Sequence, residues 1–292
     1  MDDPRHVPLK VTVVGHAGLW HSLESAALSN RSLRVGYDPD ISAAYGTPAD
    51  DPPDLIVLAQ IRPGEYRDDE IAELRRRFPL TPLIVLLGPW CDGEMRTGQP
   101  LAGVMRMSWH RAAWWLSREL DRHLAGRCPA WGWPATITDD ERLLRLVAAT
   151  TTARQVRKVE TAPTAALIGL RIDRAGWADA VADTLRDAGL ASVWLPPERP
   201  VDLRGAAAIL WDGDGLPRER LADLAQTVTA WRPVPVLALW DFPRPEDHRA
   251  AEEAGAAALV AKPLFNEQLL HEIRQAIGMN IGNSGRSAPH AA

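Results

Sequence analysis

Cysteine is almost absent from this chain of 292 residues: Cys91 and Cys128 are the only two. Two thiols cannot build a disulfide framework, and by themselves they cannot make a four-ligand structural zinc site. Lysine is nearly as scarce, with Lys10, Lys158 and Lys262 the only three among 33 basic residues. Arginine supplies the rest, which reads as codon bias more than as selection for guanidinium chemistry. Phenylalanine and tyrosine number three each, against twelve tryptophans. No apolar run approaches the ~20 residues that span a bilayer. The opening Met1-Asp2-Asp3-Pro4-Arg5 lacks a basic start with an apolar stretch behind it, so no secretory leader is expected. The expectation is a cytoplasmic protein with no membrane contact. A formal net charge of −5 argues against nucleic-acid binding through a broad basic surface.

What is present is ordinary globular composition, 46% hydrophobic and 24% charged, in a length that suits two domains of roughly 100–150 residues. Short apolar runs at Lys10–Gly15, Leu33–Tyr37, Asp54–Ala59, Leu80–Leu87 and Gly103–Met107 alternate with helical patterns at Leu19–Ser29, Asp69–Phe78 and Trp109–Leu124. Ser108 is placed to cap the last of these helices. The second half repeats the pattern. Its strands are expected at Ala166–Arg171, Ala191–Leu195, Ala206–Trp211, Pro235–Leu239 and Ala257–Ala261. Its helices are expected at Trp177–Ala188, Pro217–Ala230, Pro245–Ala254 and Asn266–Ile277. Continuous apolar strands alternating with helices predict parallel sheets covered on both faces.

Charge does not separate the halves, so the boundary rests on the segment between them. Cys128–Pro134 reads as a loop, and Thr138-Asp-Asp-Glu141 has capping-box spacing at the head of a helix to about Lys158. The predicted organisation is a first domain over 1–127, a linker loop and packed helix over 128–162, a second domain over 163–279, and a disordered tail over 280–292. Between Gly88 and Gly103 too few residues intervene for a loop, a helix and another loop, so the first domain is expected to lack its fourth helix.

The second domain resembles a response-regulator receiver. Three stretches carry the resemblance: Ala207-Ala-Ile-Leu-Trp-Asp212-Gly-Asp-Gly215; Pro233-Val-Pro-Val-Leu-Ala-Leu239; and Glu253-Ala-Gly-Ala-Ala-Ala-Leu-Val-Ala-Lys262-Pro263-Leu-Phe-Asn-Glu-Gln-Leu-Leu270. The resemblance implies a CheY-like, flavodoxin-like fold, a doubly wound five-stranded parallel sheet. It makes Asp212 the phosphoacceptor equivalent and Lys262 the residue that pairs with the phosphoryl group. An acidic pair after the first strand would hold Mg²⁺, but Ile172-Asp173 stands there, leaving Asp173 and Asp212 as candidate metal ligands. Trp240 replaces the hydroxyl residue that would report phosphorylation. The first domain resembles a more eroded copy, with Gln60 where the aspartate would be and Gly15-His16-Ala17-Gly18 for the acidic pair. The stretch Pro89–Ala102, with Trp109-His110, also resembles sequences of planctomycete-type bacteria, and no activity comes with that likeness.

Other constellations carry less. Cys91, Asp92, Glu94 and Arg96 are close in sequence, and His110 follows. Nothing specifies a base oriented on the thiol, so a loop covering bared sheet, plugged by Trp90, is the plainer reading. Gly15–Gly18 lacks the third glycine and downstream acid of a dinucleotide fingerprint. Arg75-Arg76-Arg77 reads as a solvated helix end. Trp109, Trp114 and Trp115, with Trp131 and Trp133 beyond, are candidates for an interaction surface, with core packing the simpler alternative.

The expectation is therefore two flavodoxin-like, receiver-like domains joined by a linker helix, both degenerate. They would act without enzymatic activity or resident cofactor, through contact with a signalling protein, with a homodimer left open. Two alternatives stand beside it. One is a phosphoaccepting receiver that uses Asp212, Asp173 and Lys262 with Mg²⁺. The other is a small-molecule sensor at the strand ends of the first domain, near Gly15–Gly18, Gln60 and the Trp90 loop.

Overall fold

The computed structural model describes residues 9–19, 33–48, 50–91, 93–94, 98–134, 137, 141–142, 166–196, 205–213 and 217–284. Most of the expected helices at Leu19–Ser29 and Thr138–Lys158 lies outside the described residues, as do Asp92, Arg96 and Asp214. The chain divides into two compact units, Met1–Val159 and Glu160–Ala292.

The first unit carries β1 (Leu9–Gly15), β2 (Leu33–Asp38), β3 (Leu55–Gln60), β4 (Leu83–Leu87) and β5 (Met105–Ser108). They form a parallel sheet in the order β2-β1-β3-β4-β5. The second unit carries β6 (Leu167–Ile172), β7 (Ala191–Trp194), β8 (Ala206–Asp212), β9 (Val236–Asp241) and β10 (Ala258–Lys262). Its parallel order, β7-β6-β8-β9-β10, is the same one repeated. In both sheets the winding reverses beside the first strand, which is the flavodoxin-like arrangement, and both halves of the chain therefore have the receiver-type fold the sequence predicts.

The strands are apolar on both sides because both sides are covered. β3 is buried at every position. Val11, Val13, Leu55, Val57, Ile84 and Leu86 enter one cluster, while Val14, Ile56, Leu58 and Val85 enter the other, the period-two alternation of a pleated strand. Fully burying each such Leu, Ile or Val is worth ~1.5–3 kcal/mol. The second sheet divides the same way. Ile168, Leu170, Leu210 and Leu239 face one layer, and Ile209, Trp211, Ala238 and Trp240 the other.

Helices α1 (Ile41–Ala44), α2 (Asp68–Arg77) and α3 (Trp109–Leu124) cover the first sheet. The four-residue α1 was not expected from periodicity. It is capped by Asp40, whose carboxylate accepts from the Ala43 N–H at 2.9 Å. α2 opens on Asp68, Asp69 and Glu70 and closes on Arg75–Arg77, matching the helix dipole at both ends. Its arginines do more than solvate that end: Arg75 donates to the Ala102 carbonyl at 3.1 Å and Arg77 to that of Thr47 at 2.8 Å, tying two loops to the helix.

α3 corrects the sequence reading twice. Ser108 precedes it but makes no side-chain cap. Trp109, Trp114 and Trp115 are 4%, 7% and 3% exposed, so they belong to the core and not to an interaction surface. Leu116 and Leu120 continue the same buried stripe. The loop after α3, expected as linker, packs on this unit: Trp131 meets Trp115 edge-on, with ring centroids 5.7 Å apart. The fully buried Glu119 accepts the Ala130 N–H at 2.7 Å.

α4 (Ala175–Asp187), α5 (Pro217–Trp231), α6 (Pro245–Glu253) and α7 (Asn266–Ser284) cover the second sheet. α7 continues past Ile277, so the first part of the stretch expected as a disordered tail is helical; residues 285–292 lie outside those described. Among the described residues no helix is long and apolar enough to cross a membrane.

Candidate functional site

Doubly wound sheets present ligands at the C-terminal ends of their strands. In the second unit β6, β8, β9 and β10 bring Asp173, Asp212, Asp241 and Lys262 to that edge. The register puts Ile172 beside Asp212 and Lys262 beside Asp241. Asp212 is 4% exposed and Lys262 7%. The ammonium of Lys262 donates to both oxygens of Asp212, at 2.8 and 2.9 Å, and lies 3.0 Å from Asp241. Sequence reading found Asp212 and Lys262 and missed Asp241, which follows the apolar core of its strand and carries no motif.

A second basic group joins the cluster. Arg220, on the first turns of α5, lies 3.8 Å from Asp212 Oδ1 and donates to the Leu239 carbonyl at 3.4 Å. Its guanidinium carbon sits 4.0 Å from the ring centroid of Trp240 and 5.8 Å from that of Trp211. The two indoles are themselves in contact, with centroids 6.2 Å apart. Trp240 is 4% exposed and fills space from the strand while offering a flat face to the arginine. Burial pushes the Asp212 carboxyl above its ordinary range, and Lys262 and Arg220 oppose that shift.

Asp173 is likewise taken. Arg171 donates to it at 2.6 Å and also reaches Asp223 at 3.5 Å, which in turn accepts the Trp211 indole N–H at 2.6 Å. The Asp173 N–H donates to the Asp212 carbonyl at 3.2 Å, holding the two strand ends together. Ile172, at the place of the missing acid, is 1% exposed and part of the core.

The receiver resemblance implies Mg²⁺ held by Asp173 and Asp212. The residues here do not fit it. Each carboxylate is bound to basic side chains of the chain itself, and the position of the second acid is apolar. Among the described residues no group of three or more His, Cys, Asp or Glu side chains could hold a metal ion.

Beside this cluster, Phe242 is 62% exposed and adopts a left-handed backbone, φ +41°. An aromatic residue accepts that conformation at a cost of about 1–2 kcal/mol. Its N–H donates to the Lys262 carbonyl at 3.3 Å, so the strained turn is tied to the lysine's strand.

The first unit closes the corresponding corner with different residues. Gln60, at the end of β3, is 1% exposed and donates to Glu94 at 3.1 Å. The other oxygen of Glu94 accepts from Arg106 at 2.6 Å. The Glu94 and Arg106 side chains are 2% and 8% exposed. The loop after β4 thus turns Glu94 inward and leaves Trp90 61% exposed, so Trp90 is no plug. Cys91 is buried, and burial pushes its thiol up to about 11, which disables it as a nucleophile. His110 packs edge-on against Trp109.

A cleft of about 750 Å³ lies at the C-terminal ends of β1, β2 and β3, lined by Gly15–Gly18, Tyr37, Asp40 and Tyr66 among others. Gln60 and the Trp90 loop, expected to share it, do not line it. Its phenols are used internally. Tyr37 donates to the Gly15 carbonyl, and Tyr66 donates to those of Val14 and Ala59 at 3.0 and 3.1 Å. Gly15 has φ +99°, and a Cβ there would come within 2.1 Å of the Tyr66 hydroxyl, so only glycine fits.

No protein-family model matches the chain, and no curated protein does. Among solved structures the chain is similar to single receiver domains, each matching about two fifths of it. A response regulator receiver protein from Pseudoalteromonas atlantica is 17% identical, covering 38% of this chain and 97% of that one, with a TM-score of 0.33. The N-terminal signal receiver domain of a two-component system response regulator from Bacteroides fragilis is 22% identical, covering 39% and 98%, with a TM-score of 0.33. The chemotaxis protein CheY4 of Vibrio cholerae is 19% identical, covering 39% and 99%, with a TM-score of 0.32. The strand order within each sheet, and not this likeness, establishes the fold.

Proposed function

We propose that this chain is a non-enzymatic regulatory protein, built of two receiver-like domains that work without phosphorylation and without a metal, through contact with another protein. One observation carries the reading. The carboxylate of Asp212, the group that would attack a phosphoryl donor, has both oxygens on Lys262 and a second cation, Arg220, beside it. A nucleophile must be free to approach its target, and metal assistance needs carboxylate oxygens that are not already spent. Trp240 stands where a hydroxyl would sense the product, and the first domain has an amide, Gln60, for the nucleophile.

The contact surface belongs on the helices around each closed corner. In the second domain the exposed residues Asp241, Phe242 and Arg244 lead into α6, next to β10 at the sheet edge. The test is incubation of the full chain with Mg²⁺ and acetyl phosphate, read by intact mass, and separately with Mg²⁺ and beryllofluoride, read by amide NMR. The expected outcome is no added phosphoryl mass and no shifts at Asp173, Asp212 or Lys262. A phosphoryl adduct that disappears in Asp212→Asn would overturn the reading in favour of a working phosphoacceptor.

A second reading has the cleft of the first domain behind it: binding of a small molecule at the ends of β1–β3. It predicts a thermal shift in a metabolite screen that Tyr37→Phe or His16→Ala diminishes.

A further inference from the structure

We propose that Arg220 is a tethered cation that takes the place of a divalent metal at the acidic corner of the second domain, and that Trp240 is there to hold it. The inference rests on the reading above, because it explains why the corner needs no Mg²⁺.

Three observations converge on it. Among the described residues the corner holds four carboxylates, Asp173, Asp212, Asp223 and Asp241, linked to three cations, Arg171, Arg220 and Lys262. Lys262 and Arg171 each bridge two carboxylates, which leaves Arg220 as the further positive charge near Asp212. Second, the Arg220 side chain is 12% exposed and supported on several sides: the Asp212 carboxylate, the Leu239 carbonyl, and the faces of Trp240 and Trp211. A guanidinium is flat and weakly hydrated, so it can leave water for an aromatic face where a compact ion could not. Third, two oddities of the sequence acquire one cause. A hydroxyl at position 240 would offer a guanidinium no flat face to stack on, and an indole does; an acid at position 172 would serve a metal, and Ile172 serves the core.

A tethered cation differs from a metal in one respect that matters for function. It does not leave, so the corner holds one arrangement at any Mg²⁺ concentration. It also ties α5 to the ends of β8 and β9, the strands that carry Asp212 and Trp240. The partner therefore meets a fixed surface.

The experiment titrates Mn²⁺ and Mg²⁺ into the full chain, following Mn²⁺ by electron paramagnetic resonance and Mg²⁺ by calorimetry, for wild type, Arg220→Met, Arg220→Gln and Arg220→Lys. Removing a positive charge next to Asp212 raises divalent affinity by about tenfold or more, by Coulomb's law in a partly buried site. Wild type and Arg220→Lys, which keeps the charge, are expected to bind neither ion. Arg220→Met and Arg220→Gln are expected to gain a single site, formed as the ion displaces the Lys262 ammonium from Asp212, that Asp212→Asn abolishes. Should the methionine variant fail to fold, as judged by circular dichroism, the glutamine variant carries the test, since its amide keeps a polar group at the depth of the arginine Nε. Binding to wild type as tight as to the variants overturns the proposal. So does a lack of binding in every folded variant, an outcome that leaves the phosphorylation-free reading standing, because that reading falls only with a phosphoryl adduct on Asp212.

Discussion

Arg220 and Trp240 form a matched pair whose members make sense only together. A buried arginine needs partners for its charge, and a buried tryptophan at a strand end offers it a flat aromatic face. Their separation of 4.0 Å places the pair among desolvated cation–π contacts, worth ~0.5–2 kcal/mol. A double-mutant cycle with Arg220→Met and Trp240→Leu, read by urea unfolding, is expected to show coupling of about 1 kcal/mol. Coupling near zero would mean the stacking is incidental. None of this was legible in the sequence. Arg220 stands in Pro217-Arg-Glu-Arg220, where it reads as one more surface arginine in a chain with 30 of them among its 33 basic residues. Asp212 and Lys262 were legible because a motif and a scarce residue type marked them. Asp241 had neither.

Elements show the same division. α3 was predicted to its ends, since sixteen residues of helical periodicity between Ser108 and Gly126 leave little choice. The destination of its tryptophans was not predicted, because an apolar stripe says that a face is covered and not what covers it. Glu119 shows what the covering requires. It is fully buried, accepts the Ala130 N–H, and lies 3.3 and 3.4 Å from Arg118 and Arg122. Removing its carboxylate strands a buried N–H and two partly buried arginines. Glu119→Ala is therefore expected to cost about 3 kcal/mol and Glu119→Gln about half of that, measured by chemical denaturation. Equal costs for the two would show that charge, and not the hydrogen bond, fastens the loop to the helix. The loop after β4 was read as a cover plugged by its tryptophan. The fold instead turned in Glu94, because Gln60 and Arg106 offer a polar seat for a carboxylate that an indole could not use.

At the scale of the whole molecule, the four apolar clusters divide two and two between the compact units. Two unfolding transitions are therefore expected, and a pH dependence identifies the second unit. Burial lowers the pKa of His248, on α6, from 6.5 to about 4. Below pH 6.5 the unfolded chain binds a proton that the folded domain refuses, so stability is full above that pH and falls as pH drops towards 4. The loss is about 2–3 kcal/mol by linkage. Urea unfolding at pH 7 and pH 5 should shift the transition that contains the second domain, and His248→Gln should remove most of that shift. A shift unchanged in the variant would place the responsible proton elsewhere. The repeat of strand–helix alternation and the parallel sheets followed from sequence alone, because hydrophobic period marks the strands and where their ends fall, and the resemblance to receivers picked out Asp212, Lys262, Trp240 and Gln60 at those ends. Which side chains meet at those ends was decided only by the tertiary structure. Arg220, on the first turns of α5, comes to Asp212 against the indole of Trp240 from β9, and no local pattern records a charge that is paired by a fold rather than by a motif.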